Sequence, residues 1–369
     1  MEDIVQWQRI VALGGFVLAT IFGYVASRAN FCVMGAVSDV VNMQNWGRMR
    51  MTGLAIAVAL LGTSVLSYNG TVDLGASIYL RPSVPWLSLL LGGALFGVGM
   101  TLAGGCANRN LIRLGAGSIR SLVVLVFMGI SAYMTLKGLF GQWRATFLDP
   151  VSFNLEGLGM DRQSLGVILG GLLGFSGKNA DLLLSLLLVV ILVLLTFSDG
   201  RFRANKVQWI ASIFIGGLVA LGWFWSGTIG FGEHPETMEM VFVGTNSRTI
   251  ESFSFVGPIA FDLELLLLWT DESLRLTFGG AMALGVILGS FLHAKTSRAF
   301  RWEGFAGFGD LRDQLVGAVL MGFGGVTALG CTVGQGITGL STLALGSFLA
   351  VLGIGIGSYL TLKWQLTRD

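Results

Sequence analysis

Apolar and small residues run along this chain in blocks of helix length, separated by short polar stretches. Uninterrupted blocks lie at about 10–27, 52–68, 182–198, 207–226, 274–294 and 340–362, each near the ~20 residues a helix needs to cross a bilayer. Two more, near 86–105 and 313–330, are so rich in glycine that they read either as close-packed spans or as half-helices that turn back inside the protein. The longest polar stretches, about 141–163 and 227–251, are loop-sized. The segment 252–270 is apolar but carries Asp262 and Glu264. A carboxylate at the bilayer centre costs roughly 2.5–3.5 kcal/mol, so an interfacial or re-entrant helix is expected there. The pattern predicts an all-α polytopic membrane protein, a single integral membrane domain over 1–369 with transmembrane helices and short re-entrant ones.

An internal repeat refines this. LLGGALFGVGMTLAGGC, ending at Cys106, matches LVGAVLMGFGGVTALGC, ending at Cys331, with an offset of 225 (331 − 106). Gly92, Gly97, Gly99 and Gly105 then meet Gly317, Gly322, Gly324 and Gly330. One residue inserted in the second copy later pairs Tyr133–Lys137 with Tyr359–Lys363. Repeat halves of about 10–140 and 207–363, joined by 141–206, follow. Repeats in apolar chains are a common plan of secondary transporters, whose substrate sites lie where the repeats meet.

Charge gives the halves a direction. Lys and Arg cluster in 28–50, 109–120, 201–206 and 295–312, whereas 69–85 holds only Arg81 and 227–247 has three Glu and no Lys or Arg. Cytoplasmic loops carry the excess of basic residues, so the N-terminus is expected outside and the C-terminus inside. Three arginines follow Cys106 and no charge occupies 332–339 after Cys331, which predicts that the copies are inverted; a parallel duplication is the alternative. Charged residues are 12% of the chain and its mean hydropathy is +0.76, so a formal charge of +2 says little about partners. The first apolar block has no clear small-residue cleavage site after it and reads as a span, not a signal peptide.

Candidate chemistry centres on cysteine. The three cysteines are far apart, with no Cys-x-x-Cys pair, and the two histidines, His234 and His293, are too few for a metal or haem centre; no metal, cofactor or nucleic-acid partner is implied. Buried cysteine is ordinarily a small hydrophobe, but here glycine precedes both repeat-related thiols and leaves them unobstructed. Gly115–Ser121, with Ser118, and Gly339–Thr342 read as helix starts with hydroxyl caps, places suited to anions. Arg109, Ser118, Thr332, Gly105 and Gly330 are therefore candidate anion contacts. For Arg109 the plainer reading is a cytoplasmic helix end; for Asp39, a solvated loop acid; for His293, an interfacial helix end; for Tyr133 and Tyr359, packing.

Phe31-Cys32-Val33-Met34-Gly35-Ala36 with Ser38-Asp39, Gly104-Gly105-Cys106, and Gly330-Cys331-Thr332-Val333-Gly334 resemble the YeeE/YedE family of sulfur-transport membrane proteins over nearly the whole chain. The resemblance implies an hourglass-shaped inverted repeat in the bacterial inner (cytoplasmic) membrane. It implies a path for thiosulfate or a related small sulfur anion lined by Cys32, Cys106 and Cys331, and a possible TusA-like sulfurtransferase partner beside membrane lipid. A neutral thiol is a weak donor, suited to contacts loose enough to allow exit. The chain departs from the pattern where Cys106-Ala107-Asn108-Arg109 stands against Cys331-Thr332-Val333-Gly334, which leaves the substrate open among sulfur and selenium species. The function expected is transport, not catalysis. The competing class is a membrane thiol oxidoreductase or sulfurtransferase-system component, disfavoured because no histidine neighbours the thiols and no cofactor or nucleotide motif is present.

Overall fold

A computed structural model describes residues 2–173, 177–233, 238–271, 273–305 and 307–367; His234 lies outside them. In chain order the helices are α1 (Glu2–Arg28), α2 (Val33–Met43), α3 (Gly47–Tyr68), α4 (Trp86–Leu102), α5 (Ala107–Gly115) and α6 (Ile119–Lys137). Then come α7 (Leu139–Trp143), α8 (Leu165–Leu173), α9 (Gly177–Phe197) and α10 (Gly200–Ala204). The last five are α11 (Lys206–Phe224), α12 (Val256–Leu267), α13 (Phe278–Thr296), α14 (Phe308–Thr327) and α15 (Leu345–Leu366). Among the described residues, eight helical stretches are long and apolar enough to cross a membrane. The only strands described are two antiparallel pairs, β1 (Ser83–Val84) with β2 (Phe153–Asn154) and β3 (Phe231–Glu233) with β4 (Met240–Phe242).

The glycine-rich blocks are full helices, α4 and α14, and their glycines let backbones touch. A β-carbon at Gly99 would lie 2.6 Å from Gly317 O, one at Gly317 would lie 2.6 Å from Gly99 O, one at Gly324 would lie 2.5 Å from Gly92 O, and one at Gly92 would lie 2.7 Å from Ala328 N. Contacts that pair 92 with 328 and 99 with 317 mean that α4 and α14 run antiparallel. α4 packs parallel to α15, where Thr101 and Ser358 hydroxyls meet at 3.0 Å, and α14 packs parallel to α6, where Ser131 Oγ donates to Val319 O at 2.8 Å. Small residues at these seams supply the close van der Waals packing that holds helices together in lipid.

α12 has 12 residues, about 18 Å at 1.5 Å per residue, too short to cross the bilayer. Its Glu264 is buried and accepts from Lys137 Nζ at 2.6 Å and Tyr133 Oη at 3.0 Å, which ties α12 to the end of α6. Tyr133 thus makes a polar bond as well as packing. The connecting segment is anchored by an Arg50–Asp199 ion pair between the start of α3 and the end of α9.

Two expected hydroxyl caps are absent. Ser118 precedes α6 without a side-chain capping bond; it receives the Ser121 hydroxyl at 3.2 Å, while Ile119 N donates to Glu303 O across a short bridge. The second segment is a tight turn, Leu340–Thr342, ahead of α15, with Ser341 and Thr342 donating back to Thr338 O and Gly339 O. In both places neighbouring groups satisfy the hydroxyls first.

Candidate functional site

Each cysteine occupies the same local structure. The helix before it ends with an N–H reaching five residues back: Phe31 to Ala26 O (2.9 Å), Gly105 to Met100 O (2.9 Å) and Gly330 to Gly325 O (2.8 Å). The residue two before the cysteine is left-handed in all three, Asn30 (φ 52°), Gly104 (φ 64°) and Leu329 (φ 58°). This termination reverses the chain, a conformation glycine adopts freely and Leu329 only at some strain. The cysteine then opens the next helical turn. Cys32 Sγ accepts from Gly35 N–H at 3.2 Å and Cys331 Sγ from Gly334 N–H at 3.4 Å, whereas Cys106 opens α5 without such a side-chain bond.

At Cys32 and Cys331 that bond spends one sulfur lone pair on the helix and leaves the S–H to donate elsewhere. The three loops point their helix starts, with their positive dipole ends, at one region. All three thiols are free and buried, at 5%, 1% and 0% exposure. Cys32 and Cys106 face each other directly. Cys106 also faces Thr332, whose buried hydroxyl has no partner of regular hydrogen-bond geometry. Thr332 follows Cys331 in the chain, so the three thiols lie in one region of the core.

The two sides of this region differ. Beyond Cys32 and Cys106 the surroundings are basic: Arg48 Nη1 lies 2.6 Å from the position of a β-carbon on Gly35, Arg109 packs beneath Gly105, and Arg113 Nη1 donates to Gly104 O at 3.0 Å. Asp39 is ion-paired with Arg48 at 3.4 Å. Beyond Cys331 a cavity of about 290 Å³ opens, with Gly330 and Leu329 at its base and Tyr79, Ser254, Glu251 and Arg144 in its walls. Arg144 is paired with Asp149 at 3.1 Å. Glu251 accepts the Ser247 N–H at 2.9 Å and the Ser247 hydroxyl at 2.5 Å, and burial pushes its carboxyl above the ordinary range. Burial likewise raises the Tyr79 hydroxyl, which stays protonated; it stands beside Cys331 and Ser254.

Of the candidates from sequence, Cys32, Cys106, Cys331, Thr332, Arg109, Gly105 and Gly330 come together. The N–H groups of Gly105 and Gly330 are used in ending their helices, so these residues contribute space. Ser118 is buried at the foot of α6 with Ser121 and Glu303 as its neighbours in hydrogen bonding. His293 bonds Ser27 Oγ at 2.9 Å and stacks edge-on with Tyr24, as a helix-end brace. Reasoning from sequence passed over Tyr79, Ser254, Glu251 and Asn108, the last buried with an unpartnered Oδ1; Tyr79 carries no motif and reaches the thiol only through tertiary packing.

The profile of the sulphur transport family matches residues 28–360. The thiosulfate transporter TsuA of Escherichia coli (strain K12) is 27% identical over 367 residues, covering 94% of this chain and 94% of that protein. The thiosulfate transporter TsuA of Spirochaeta thermophila is 25% identical over 359 residues, covering 96% and 98%.

Proposed function

This chain belongs to the sulphur transport family, and we propose that it carries thiosulfate, or a closely related small sulfur anion, across the bacterial inner membrane along the line Cys331–Cys106–Cys32. Both relatives described above are named as thiosulfate transporters. The single observation that carries the reading is the threefold recurrence of one device: a left-handed reversal two residues ahead of a buried thiol that opens the next helical turn. The device aims three S–H donors into the interval between an open cavity and a basic mouth.

The anion enters the cavity, takes the S–H of Cys331, passes Thr332 to Cys106 and Cys32, and leaves towards Arg48, Arg109 and Arg113. Each S–H bond is weak, so no step holds the anion tightly. Protonated thiols suit this role, because thiolates would repel a dianion. The basic mouth is the cytoplasmic one by its arginines, which gives uptake an electrostatic slope toward the inside, with the N-terminus outside and the C-terminus inside.

The two halves form an inverted repeat in this reading. The support is reciprocal: Gly99 against Gly317 is matched by Gly324 against Gly92, as a two-fold axis between antiparallel α4 and α14 requires. A TusA-like sulfurtransferase would take the product at the cytoplasmic mouth, where exposed basic residues such as Arg312 and Arg298 gather.

The test is growth of a host without its own thiosulfate uptake on thiosulfate as sole sulfur source. Cys331→Ala and Cys106→Ala, present in the membrane at the normal level, abolish growth; unimpaired growth of both removes the thiol path. Mass spectrometry of the purified protein keeps the chemistry distinct: a persulfide or an obligatory disulfide on these cysteines would favour covalent sulfur transfer instead.

A further inference from the structure

The motif that sets Cys32 recurs with one telling change. Phe31-Cys32-Val33-Met34-Gly35 returns as Phe253-Ser254-Phe255-Val256-Gly257, with an offset of 222 (254 − 32), close to the 225 that superimposes Cys106 on Cys331. Each copy leads into a short helix, α2 of 11 residues and α12 of 12. The repeat thus has four loops that aim a small polar side chain inward, and serine stands in the fourth. The loop arrives by a longer connection from α11 and, unlike the other three, has no left-handed residue two positions earlier.

The contacts of this loop converge on Cys331. The point where a β-carbon on Gly334 would sit lies 2.7 Å from Ser254 Oγ and 3.4 Å from Tyr79 Oη, and the Gly334 N–H is the group bonded to Cys331 Sγ. Tyr79 is fixed there, 5% exposed, with its ring edge-on to buried Trp223 at 6.1 Å. Where Arg48 covers Gly35 in the first copy, nothing lies within 4 Å of a β-carbon on Gly257, so this loop faces open cavity. Ser254 and Tyr79 both line that cavity, whose base is Gly330.

We propose that Ser254, with Tyr79, forms an outer binding subsite in which two hydroxyls hold the oxygen atoms of a sulfur oxyanion while its terminal sulfur meets Cys331. The inference rests on the transport reading and extends it to the orientation of the substrate. A hydroxyl donates to an anionic oxygen more strongly than a thiol does, whereas the softer S–H suits sulfur. Serine in place of a fourth cysteine therefore sorts the two ends of the anion before it enters the line of thiols. All three donors are neutral, so they admit a dianion without binding it as an arginine would.

Uptake kinetics in proteoliposomes test this. Ser254→Ala raises KM for thiosulfate by about tenfold or more, the usual effect of one hydrogen bond to a charged group, with Vmax within about twofold of wild type. Tyr79→Phe moves KM the same way, and Ser254→Cys, which keeps a weaker donor in similar volume, raises it less than Ser254→Ala. A wild-type KM in Ser254→Ala, or a fall in Vmax alone, overturns the subsite. If Ser254→Ala does not reach the membrane, an unchanged KM in both Tyr79→Phe and Ser254→Cys overturns it equally. Cys331→Ala run alongside separates the two claims: a dead Cys331→Ala beside a wild-type Ser254→Ala refutes only the subsite, and a wild-type Cys331→Ala refutes the thiol path beneath it.

Discussion

Replacing Gly99 by alanine separates the two helices on which the repeat closes. The added methyl would stand 2.6 Å from Gly317 O and 2.7 Å from Met321 N, where ordinary contact begins at 3.4 Å. α4 and α14 must therefore part by roughly 0.8 Å, a gap that forfeits a quarter or more of the dispersion energy of the atoms along the seam. Overpacking of this kind costs about 1–3 kcal/mol, against which alanine gains about 1 kcal/mol in helix propensity over glycine. A net loss of up to about 2 kcal/mol is expected, or at most roughly 3 °C in the unfolding midpoint for a chain of this size. Thiosulfate uptake falls as well, because both cysteine loops hang from these helices.

Gly355 on α15 is the matched control. No atom lies within 4 Å of a β-carbon there, so Gly355→Ala keeps the propensity gain and leaves the midpoint unchanged or raised. Because Gly99 and Gly317 press on each other's carbonyl, one separation serves both, and the loss in Gly99→Ala/Gly317→Ala is smaller than the sum of the single losses. Midpoints are read by fluorescence-detected size exclusion of detergent-purified variants after heating. A Gly99→Ala protein as stable as Gly355→Ala would refute the close approach, and strictly additive losses would refute its reciprocity.

Two further outcomes follow from buried carboxyls. Lys137→Met leaves Glu264 buried with only the Tyr133 hydroxyl, so it destabilises by about 1–3 kcal/mol, less than a fully buried pair because Lys137 is half exposed; Lys137→Met/Glu264→Gln recovers most of the loss, and a double variant as unstable as the single contradicts the ion pair. Burial raises the Glu251 carboxyl, so the neutral form is the one the folded protein favours, and its stabilising contribution is present at low pH and lost as pH rises through the raised value. As pH falls through that same value the cavity, whose lining also includes Tyr79 and Arg144, sheds a negative charge. Uptake measured without a proton gradient then rises with falling pH, and Glu251→Gln flattens the profile; an unaltered profile in that variant removes Glu251 from the entry step.

Helix positions were legible from the sequence because the bilayer demands one thing of a spanning segment, about twenty apolar residues. The blocks at 52–68, 182–198 and 207–226 correspond to α3, α9 and α11. The cysteine hairpins were legible for a second local reason: Gly104 and Gly105 mark a helix end whose hydrogen bonds close within six residues. Asp262 and Glu264 marked α12 as a helix that does not cross, through the charge they carry. Caps were less legible, since the Ser118 hydroxyl had competing partners that its neighbours in sequence do not reveal.

Local rules of hydrophobicity, charge and turn chemistry are written into consecutive residues, so the sequence by itself determined the all-helical membrane class and pointed to a repeat and to three candidate thiols. Which thiols meet was decided only by tertiary structure. Cys32 faces Cys106, and Cys106 faces Thr332, because glycine seams bring α4, α14 and α15 to backbone contact from positions hundreds of residues apart. The same packing sets Tyr79 and Ser254 beside Cys331 and leaves open space over Gly257 where Arg48 closes over Gly35. Proximity between distant segments depends on the shape of the whole core, and no short stretch of chain encodes it.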